Sequence, residues 1–208
     1  MSEQRSWLIP FTIVSAAYIG AQMMADIASL RIVTIAGFSV DAGTLIYPFT
    51  FTLRDLVHKT GGRRAADTLV ITAGGINLLM AGLFSLVAWL PADLSVGPQL
   101  EFGMVLGPVW RIVIASIVAE VTAELVDGAV YQRWVNRFGM KRQWLRVLVS
   151  NGFSAPLDSA LFVALAFIGR MGFGVVVGIF VANVVIKYAV SVVSMPMIYL
   201  VRERNPAA

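Results

Sequence analysis

Six apolar stretches, each about as long as a membrane-spanning helix, follow one another along the chain with short polar segments between them. A helix needs about 20 mostly apolar residues to cross the hydrocarbon core of a bilayer. Of all residues 58% are apolar and only 13% are charged, against about 25% charged in an average soluble domain. The sequence therefore predicts an all-α, polytopic membrane protein with a single domain over residues 1–208. The predicted spans are 7–28, 42–58, 66–89, 108–131, 145–168 and 173–201.

The segment between the first two spans, residues 31–43, is half apolar and too short to cross a membrane. We expect it to pack as a loop or short element against the outer face of the bundle. The fold class expected from the whole pattern is a bundle of about six transmembrane helices.

The basic residues predict the orientation, because cytoplasmic loops carry an excess of Lys and Arg. With the N-terminus in the cytoplasm, the inner side holds eleven basic residues and the outer side holds three. We therefore expect both termini in the cytoplasm of a multi-pass protein of the cell (inner) membrane. The inner residues are Arg5, Lys59, Arg63, Arg64, Arg133, Arg137, Lys141, Arg142, Arg146, Arg202 and Arg204, and the outer ones are Arg31, Arg111 and Arg170.

The sequence lacks the residues that several classes of protein need for their function. The chain has no cysteine and a single histidine, His58, which excludes thiolate metal sites, disulfides and His-rich metal cages. It has no P-loop, HExxH motif or nucleophile elbow. We therefore expect no metal, no cofactor and no enzymatic activity. The net charge of +4 comes from short clusters between apolar runs, which indicates membrane topology and no nucleic-acid partner.

Charged residues inside the apolar stretches are the strongest functional signal. A charge near the centre of a membrane helix costs roughly 2.5–3.5 kcal/mol on insertion scales, so such residues face the bundle interior, a cavity or one another. Glu120, Glu124 and Asp127 follow i, i+4, i+7 spacing and share one face of the fourth span. The charged residues in or at the edges of spans are Asp26, Arg54, Asp55, Glu120, Glu124, Asp127, Asp158 and Lys187.

Two further spans carry polar stripes at a similar depth. Asp158 lies on a stripe of the fifth span that ends in Phe162, and Lys187 shares a stripe of the sixth span with Asn183. Such stripes at one depth predict a central polar site. The candidate substrate-binding residues are Thr50, Asn77, Glu120, Glu124, Asn151, Asp158, Phe162 and Lys187. The candidates for coupling or gating are Asp26, Asp55, Arg111 and Asp127.

A purely structural interpretation of these residues stays open. In it, Lys187 only neutralises Asp158 or Glu120 as a buried ion pair, while Asp127 and Asp55 pair with nearby arginines.

Four motifs in order resemble the queuosine precursor transporter family of vitamin-uptake-type membrane proteins. They are YPFTFTLRDLVHKTGGRRAAD, RIVIASIVAEVTAELVD, RVLVSNGFSAPLDSALFVALAF and the ending from Lys187 to Pro196-Met-Ile-Tyr199. Together they cover most of the chain from Asp26 to Tyr199. The resemblance implies the import of a 7-deazaguanine, such as the cyano or aminomethyl precursor that feeds tRNA modification.

The residues suit such a ligand. One carboxylate can accept the ring N–H and the exocyclic NH₂ of a guanine-type edge together. Flat heterocycles are also held by stacking on aromatic side chains. The carboxylate candidates are Asp158 and Glu120, the stacking candidates are Phe162, Phe49 and Phe51, and the donors to the ring carbonyl are Asn77, Asn151 or Lys187.

The chain also departs from the family pattern. Lys59 and Thr60 stand where the family commonly has glutamate and tyrosine, and Asp26 stands where an asparagine is common. Arg31 replaces a lysine, and Pro156 is unusual within its motif. A subgroup of the family with a different ligand is one explanation of these departures, which bear on the substrate more than on the fold.

Two alternative functions remain at this point. One is the substrate-binding subunit of an energy-coupling-factor vitamin importer, which works with an ATPase module. Ala17, Ala21 and Ala25 form AxxxA steps on the first span, a small-residue face on which a partner helix could dock. The other is an intramembrane enzyme, which would need a metal or nucleophile cluster. The expected partners are a small purine-like base and the lipid bilayer, and a homo-oligomer also stays open.

Overall fold

The computed structural model describes residues 3–138 and 143–194, and the fold within these ranges is mostly helical. Six of the helices have 15 or more residues, and one has seven. They are α1 (Glu3–Ala28), α2 (Tyr47–Gly61), α3 (Arg63–Trp89), α4 (Leu100–Leu106), α5 (Val109–Phe138), α6 (Gln143–Phe167) and α7 (Phe173–Ser194).

Four stretches of the described chain are long and apolar enough to cross a membrane. They are Pro10–Ala28, Arg64–Trp89, Leu100–Ala123 and Phe173–Val190. The first, third, fourth and sixth predicted spans are therefore confirmed by length and composition.

The other two predicted spans are not among these four. At 1.5 Å per residue, the 15 residues of α2 reach only about 22 Å, less than the ~30 Å hydrocarbon core. α6 has 25 residues, and the apolar stretch among its described residues is Gly152–Phe167. Four of the six predicted spans are thus confirmed.

The all-α prediction is wrong for the segment after α1, which forms a β-hairpin. Its strands are β1 (Ile32–Ile35) and β2 (Phe38–Asp41), paired antiparallel from Ile32 opposite Asp41 to Ile35 opposite Phe38. Ala36 and Gly37 join them with φ angles of 51° and 83°, and two positive φ values are what a two-residue type I′ turn requires. The hairpin packs on α7 and leads into a short 3₁₀ helix, Ala42–Leu45.

The interior is built largely from small and β-branched side chains, which let helices approach closely. One buried cluster joins α5, α6 and α7, a second joins α1, α2 and α3, and a third joins α3 and α5. Their central residues are Ala115, Ala119, Val163 and Ile179 in the first cluster, Tyr18, Val57 and Ala73 in the second, and Met80, Val109 and Val113 in the third.

The small-residue face of α1, on which a partner could dock under the importer-subunit alternative, is largely buried inside the bundle. Ala21 and Ala25 are only 5% and 2% exposed, whereas Ala17 is exposed. Ala21 and Ala25 therefore let α1 pack closely against its own neighbours in the bundle.

Candidate functional site

A polar pocket lies between α1, the 3₁₀ helix, the start of α2, and helices α5, α6 and α7. Together with the open space at its mouth, the pocket has a volume of about 320 Å³. Apolar atoms of Ala25, Ala119 and Phe162 form part of its wall. The polar side chains in its lining are Asp26, Ser29, Asp41, Thr44, Tyr47, Ser116, Asp158, Asn183 and Lys187.

A buried ion pair forms one wall of the pocket. Lys187 Nζ on α7 binds Asp158 Oδ2 on α6, and the two residues are 3% and 2% exposed. The same ammonium lies 5.1 Å from the centroid of the Tyr47 ring, close enough for a cation–π interaction. Three helices thus converge on Lys187.

The 3₁₀ helix carries a second set of polar groups to α7. Thr44 Oγ1 donates to Asn183 Oδ1 at 2.5 Å, one helical turn before Lys187. Asp41 caps the 3₁₀ helix by accepting from the Gly43 amide at 2.9 Å and from Thr44 Oγ1 at 3.3 Å. Burial raises the pKa of Asp41, while these hydrogen bonds, one from Ser29, and the charge of Lys187 act in the opposite direction.

Gly43 lets the 3₁₀ helix lie directly against α1. A Cβ atom at this position would clash with Ser29 Oγ and would lie 2.5 Å from the carbonyl oxygen of Ala25. Only glycine therefore brings Asp41 and Thr44 this close to the pocket.

Asp26 differs from the other carboxylates of the pocket. It is 3% exposed, and its Oδ2 atom has no hydrogen-bond partner within the described part of the chain. A buried polar atom without a partner costs about 1–3 kcal/mol. Asp26 therefore has hydrogen-bonding capacity that the described residues leave unused.

A second polar network lies beside the pocket, centred on Glu120. Glu120 Oε1 accepts from the Tyr18 hydroxyl at 2.8 Å, and Gln22 Nε2 donates to both carboxylate oxygens at 3.0 and 2.9 Å. Asn77 Nδ2 reaches Gln22 Oε1 at 3.5 Å. This network links α1, α3 and α5.

The structure therefore divides the predicted central site. Asp158, Phe162 and Lys187 lie together in the pocket lining, along with the coupling candidate Asp26. Glu120 and Asn77 lie in the adjoining network. The side chains of Asp55, Glu124, Asp127 and Asn151 lie outside the described residues.

Three further candidates lie apart from the pocket lining. Thr50 Oγ1 donates to the Tyr47 carbonyl of its own helix at 2.6 Å. Phe49 is exposed, and Phe51 meets Tyr47 edge-on with ring centroids 5.4 Å apart.

Arg111, a gating candidate, binds the end of α6. Its Nε donates to the Leu165 carbonyl at 2.7 Å, and an Nη donates to the Ile168 carbonyl at 2.8 Å. The Leu165 carbonyl belongs to the last turn of α6, and Ile168 directly follows the helix, where helical partners are absent. Arg111 thus joins α5 to the C-terminus of α6.

The sequence analysis missed the pocket residues between Ser29 and Tyr47, because the hairpin segment was expected on the outer face. The available signal was the β-branched run from Ile32 to Ile35, followed by Ala36 and Gly37 in a two-residue turn. That pattern is typical of a hairpin. A hairpin brings Asp41 back opposite Ile32, near the end of α1.

Comparison with known proteins identifies the chain once this geometry is known. The family model described as "Putative vitamin uptake transporter" matches residues 41–201. This chain belongs to that family. The match spans α2 to α7 and includes Asp41, Asp158 and Lys187, whereas Asp26 precedes it. This is the family that the four sequence motifs resemble, so the resemblance is confirmed.

A relative within reach of sequence comparison carries a more specific name. The chain is 26% identical over 190 residues to the "Probable queuosine precursor transporter" of Bacillus subtilis (strain 168), covering 89% of this chain and 82% of the relative. No solved structure matches the chain. Membership of the vitamin uptake transporter family and the apolar helices together make this a membrane transport protein.

Proposed function

We propose that this chain binds a queuosine precursor of the 7-deazaguanine type in the pocket and carries it into the cell. The named relative supports the substrate class. The observation that carries the proposal is the Lys187–Asp158 pair in the pocket wall. Ionisable groups within membrane helices are expensive and mark substrate or ion pathways, and a buried ion pair is seldom worth more to stability than an apolar replacement.

The pair offers a pattern that complements a guanine-type edge. Such an edge presents a carbonyl oxygen, a ring N–H and an exocyclic NH₂ in succession. An ammonium has three donors and a carboxylate has about four acceptor positions, so Lys187 and Asp158 keep capacity beyond their mutual contact. Lys187 would donate to the carbonyl, and Asp158 would accept from the two nitrogen donors.

Two aromatic rings in the lining suit a flat ligand. Tyr47 is held edge-on by Phe51, and Phe162 is held edge-on by Phe167, with ring centroids 5.7 Å apart. Rings fixed in this way lose little freedom when a base stacks on them. We expect the base plane to lie against Phe162 or Tyr47.

The importer-subunit alternative loses its main support. The small-residue face of α1 that would receive an ATPase module is occupied within the bundle, since Ala21 and Ala25 are buried. We therefore propose a transporter of the inner membrane that works without an ATPase module. The driving force would be either proton coupling through buried carboxylates or simple diffusion followed by metabolic trapping.

The test measures binding to the purified protein and uptake into liposomes without ATP. We expect 7-deazaguanines to bind and 7-deazaadenine, whose edge lacks the carbonyl and the ring N–H, to bind weakly or not at all. Asp158→Asn should abolish binding. The matched control is Asp93→Asn in an exposed loop, where an asparagine can keep the bond that Asp93 Oδ1 accepts from the Ser95 amide. Equal binding of both rings would refute the proposal.

A further inference from the structure

Among the described residues that line the pocket, acidic side chains outnumber basic ones. The acidic side chains are Asp26, Asp41 and Asp158, and the basic one in this described set is Lys187. A further carboxylate, Glu120, lies in the polar network beside the pocket. Burying charges of one sign without compensation costs far more than burying a matched pair.

The Lys187 ammonium already has a partner on one wall of the pocket. Lys187 binds Asp158. Asp41 is held by the Gly43 amide and the Thr44 hydroxyl as the cap of the 3₁₀ helix. Asp26 is left with a buried Oδ2 atom that has no hydrogen-bond partner among the described residues.

We propose that the pocket selects a base that carries a protonated amine, and that Asp26 receives this ammonium group. The inference rests on the proposed function and names the form of the substrate. Of the two deazaguanine precursors expected from the sequence, the aminomethyl form is a cation near neutral pH and the cyano form is neutral. The aminomethyl form is therefore the substrate that the charge of the pocket favours.

The two substituents would interact with Asp26 in opposite ways. An ammonium donates charge-assisted hydrogen bonds to a carboxylate, which are about twice as strong as neutral ones. A nitrile has no hydrogen to donate, and its nitrogen is itself an acceptor that a carboxylate repels. Near Asp26 the lining includes the small residues Ala25, Ser29 and Gly43.

A metal ion is a less suitable counter-charge. Among the described residues, no group of three or more acidic or histidine side chains converges as a metal site requires. Asp26 therefore offers one carboxylate to a ligand that brings its other contacts elsewhere, as a substituted base does with the Lys187–Asp158 pair.

The experiment compares four probes that share one ring on the purified full-length protein. They are 7-aminomethyl-7-deazaguanine, its N-acetyl derivative, 7-cyano-7-deazaguanine and unsubstituted 7-deazaguanine. We expect the aminomethyl probe to bind at least about tenfold more tightly than each neutral probe, which corresponds to 1.4 kcal/mol. Asp26→Asn should reduce this preference to near unity, and Asp93→Asn should keep it.

The outcomes are distinguishable. Equal affinities for the aminomethyl and cyano probes, or a preference that survives in Asp26→Asn, overturn the inference while the proposed function stands. Failure of all four rings to bind overturns the proposed function and the inference with it. The probe series on the unmutated protein decides the matter even where Asp26→Asn does not fold.

Discussion

The Tyr188 hydroxyl on α7 donates a hydrogen bond to the Gly152 carbonyl oxygen on α6, 2.9 Å away. Pro156 lies four residues after Gly152 within the same helix. Because proline has no N–H, it cannot give the Gly152 carbonyl its usual helical bond. The neighbouring helix supplies the missing donor. Tyr188 follows Lys187 directly, so one turn of α7 makes both polar contacts with α6.

This contact predicts a coupling between Tyr188 and Pro156. Tyr188→Phe should lower the free energy of unfolding by about 1 kcal/mol, the usual net value of one hydrogen bond. In a Pro156→Ala background the Gly152 carbonyl regains a helical donor, so the same change should cost much less. Thermal unfolding of the four proteins in detergent gives the double-mutant cycle. Equal costs in both backgrounds would show that Tyr188 does not replace the donor that Pro156 lacks.

The Lys187–Asp158 pair should show separate effects on stability and on binding. Lys187→Met leaves the Asp158 carboxylate buried without its partner and should destabilise the protein by roughly 3–5 kcal/mol. The double variant Lys187→Met, Asp158→Leu removes both charges and should recover most of that loss. Binding of 7-deazaguanine should be lost in both. A double variant that binds the base normally would assign the pair a structural role only.

How far the sequence predicted this site depends on what helical spacing can resolve. Spacing and depth placed Asp158, Phe162 and Lys187 together, and the structure has all three in one pocket lining, because each lies on the buried face of a long helix. The depth of a residue in the membrane does not reveal which neighbouring helix its side chain contacts. Glu120 was therefore expected beside Asp158, but it bonds to Tyr18 and Gln22. Each strand of the hairpin has only four residues. An alternation of apolar and polar residues over so short a stretch is hard to recognise between two long helices.

Ala21 and Ala17 give a direct test of how α1 is placed. Ala21→Leu adds a large side chain at a buried position and should destabilise the protein by about 1–3 kcal/mol through overpacking. Ala17→Leu makes the same change at an exposed position one turn earlier and should be neutral. Unfolding in detergent and liposome uptake measure both effects. If Ala21→Leu is as harmless as Ala17→Leu, that side of α1 faces outward, and the importer-subunit alternative returns.

The orientation of the chain remains a prediction from its basic residues. Eleven of them fall on one side and three on the other, which places both termini in the cytoplasm. Reporters fused before Met1 and after Ala208 should show cytoplasmic activity only. A reporter that is active only outside the membrane, placed between α3 and α4 at Asp93, should be active and serves as the internal control. Periplasmic activity from either terminus would reverse the assignment.

Gly43 should be the most sensitive glycine of the pocket wall. In Gly43→Ala the new methyl group clashes with Ser29 Oγ and lies 2.5 Å from the Ala25 carbonyl oxygen. A backbone oxygen in a helix cannot move aside easily. The 3₁₀ helix must shift away from α1, carrying Asp41 and Thr44 with it. We expect a loss of about 1–3 kcal/mol in stability, as for other overpacked sites, and weaker binding of the base.

Gly75→Ala in α3, where no heavy atom lies within 4 Å, is the matched control and should stabilise the helix by up to about 1 kcal/mol. Unfolding and binding measured on the same two preparations separate the effects. A Gly43→Ala protein that binds with unchanged affinity would mean that the 3₁₀ helix does not form part of the binding site.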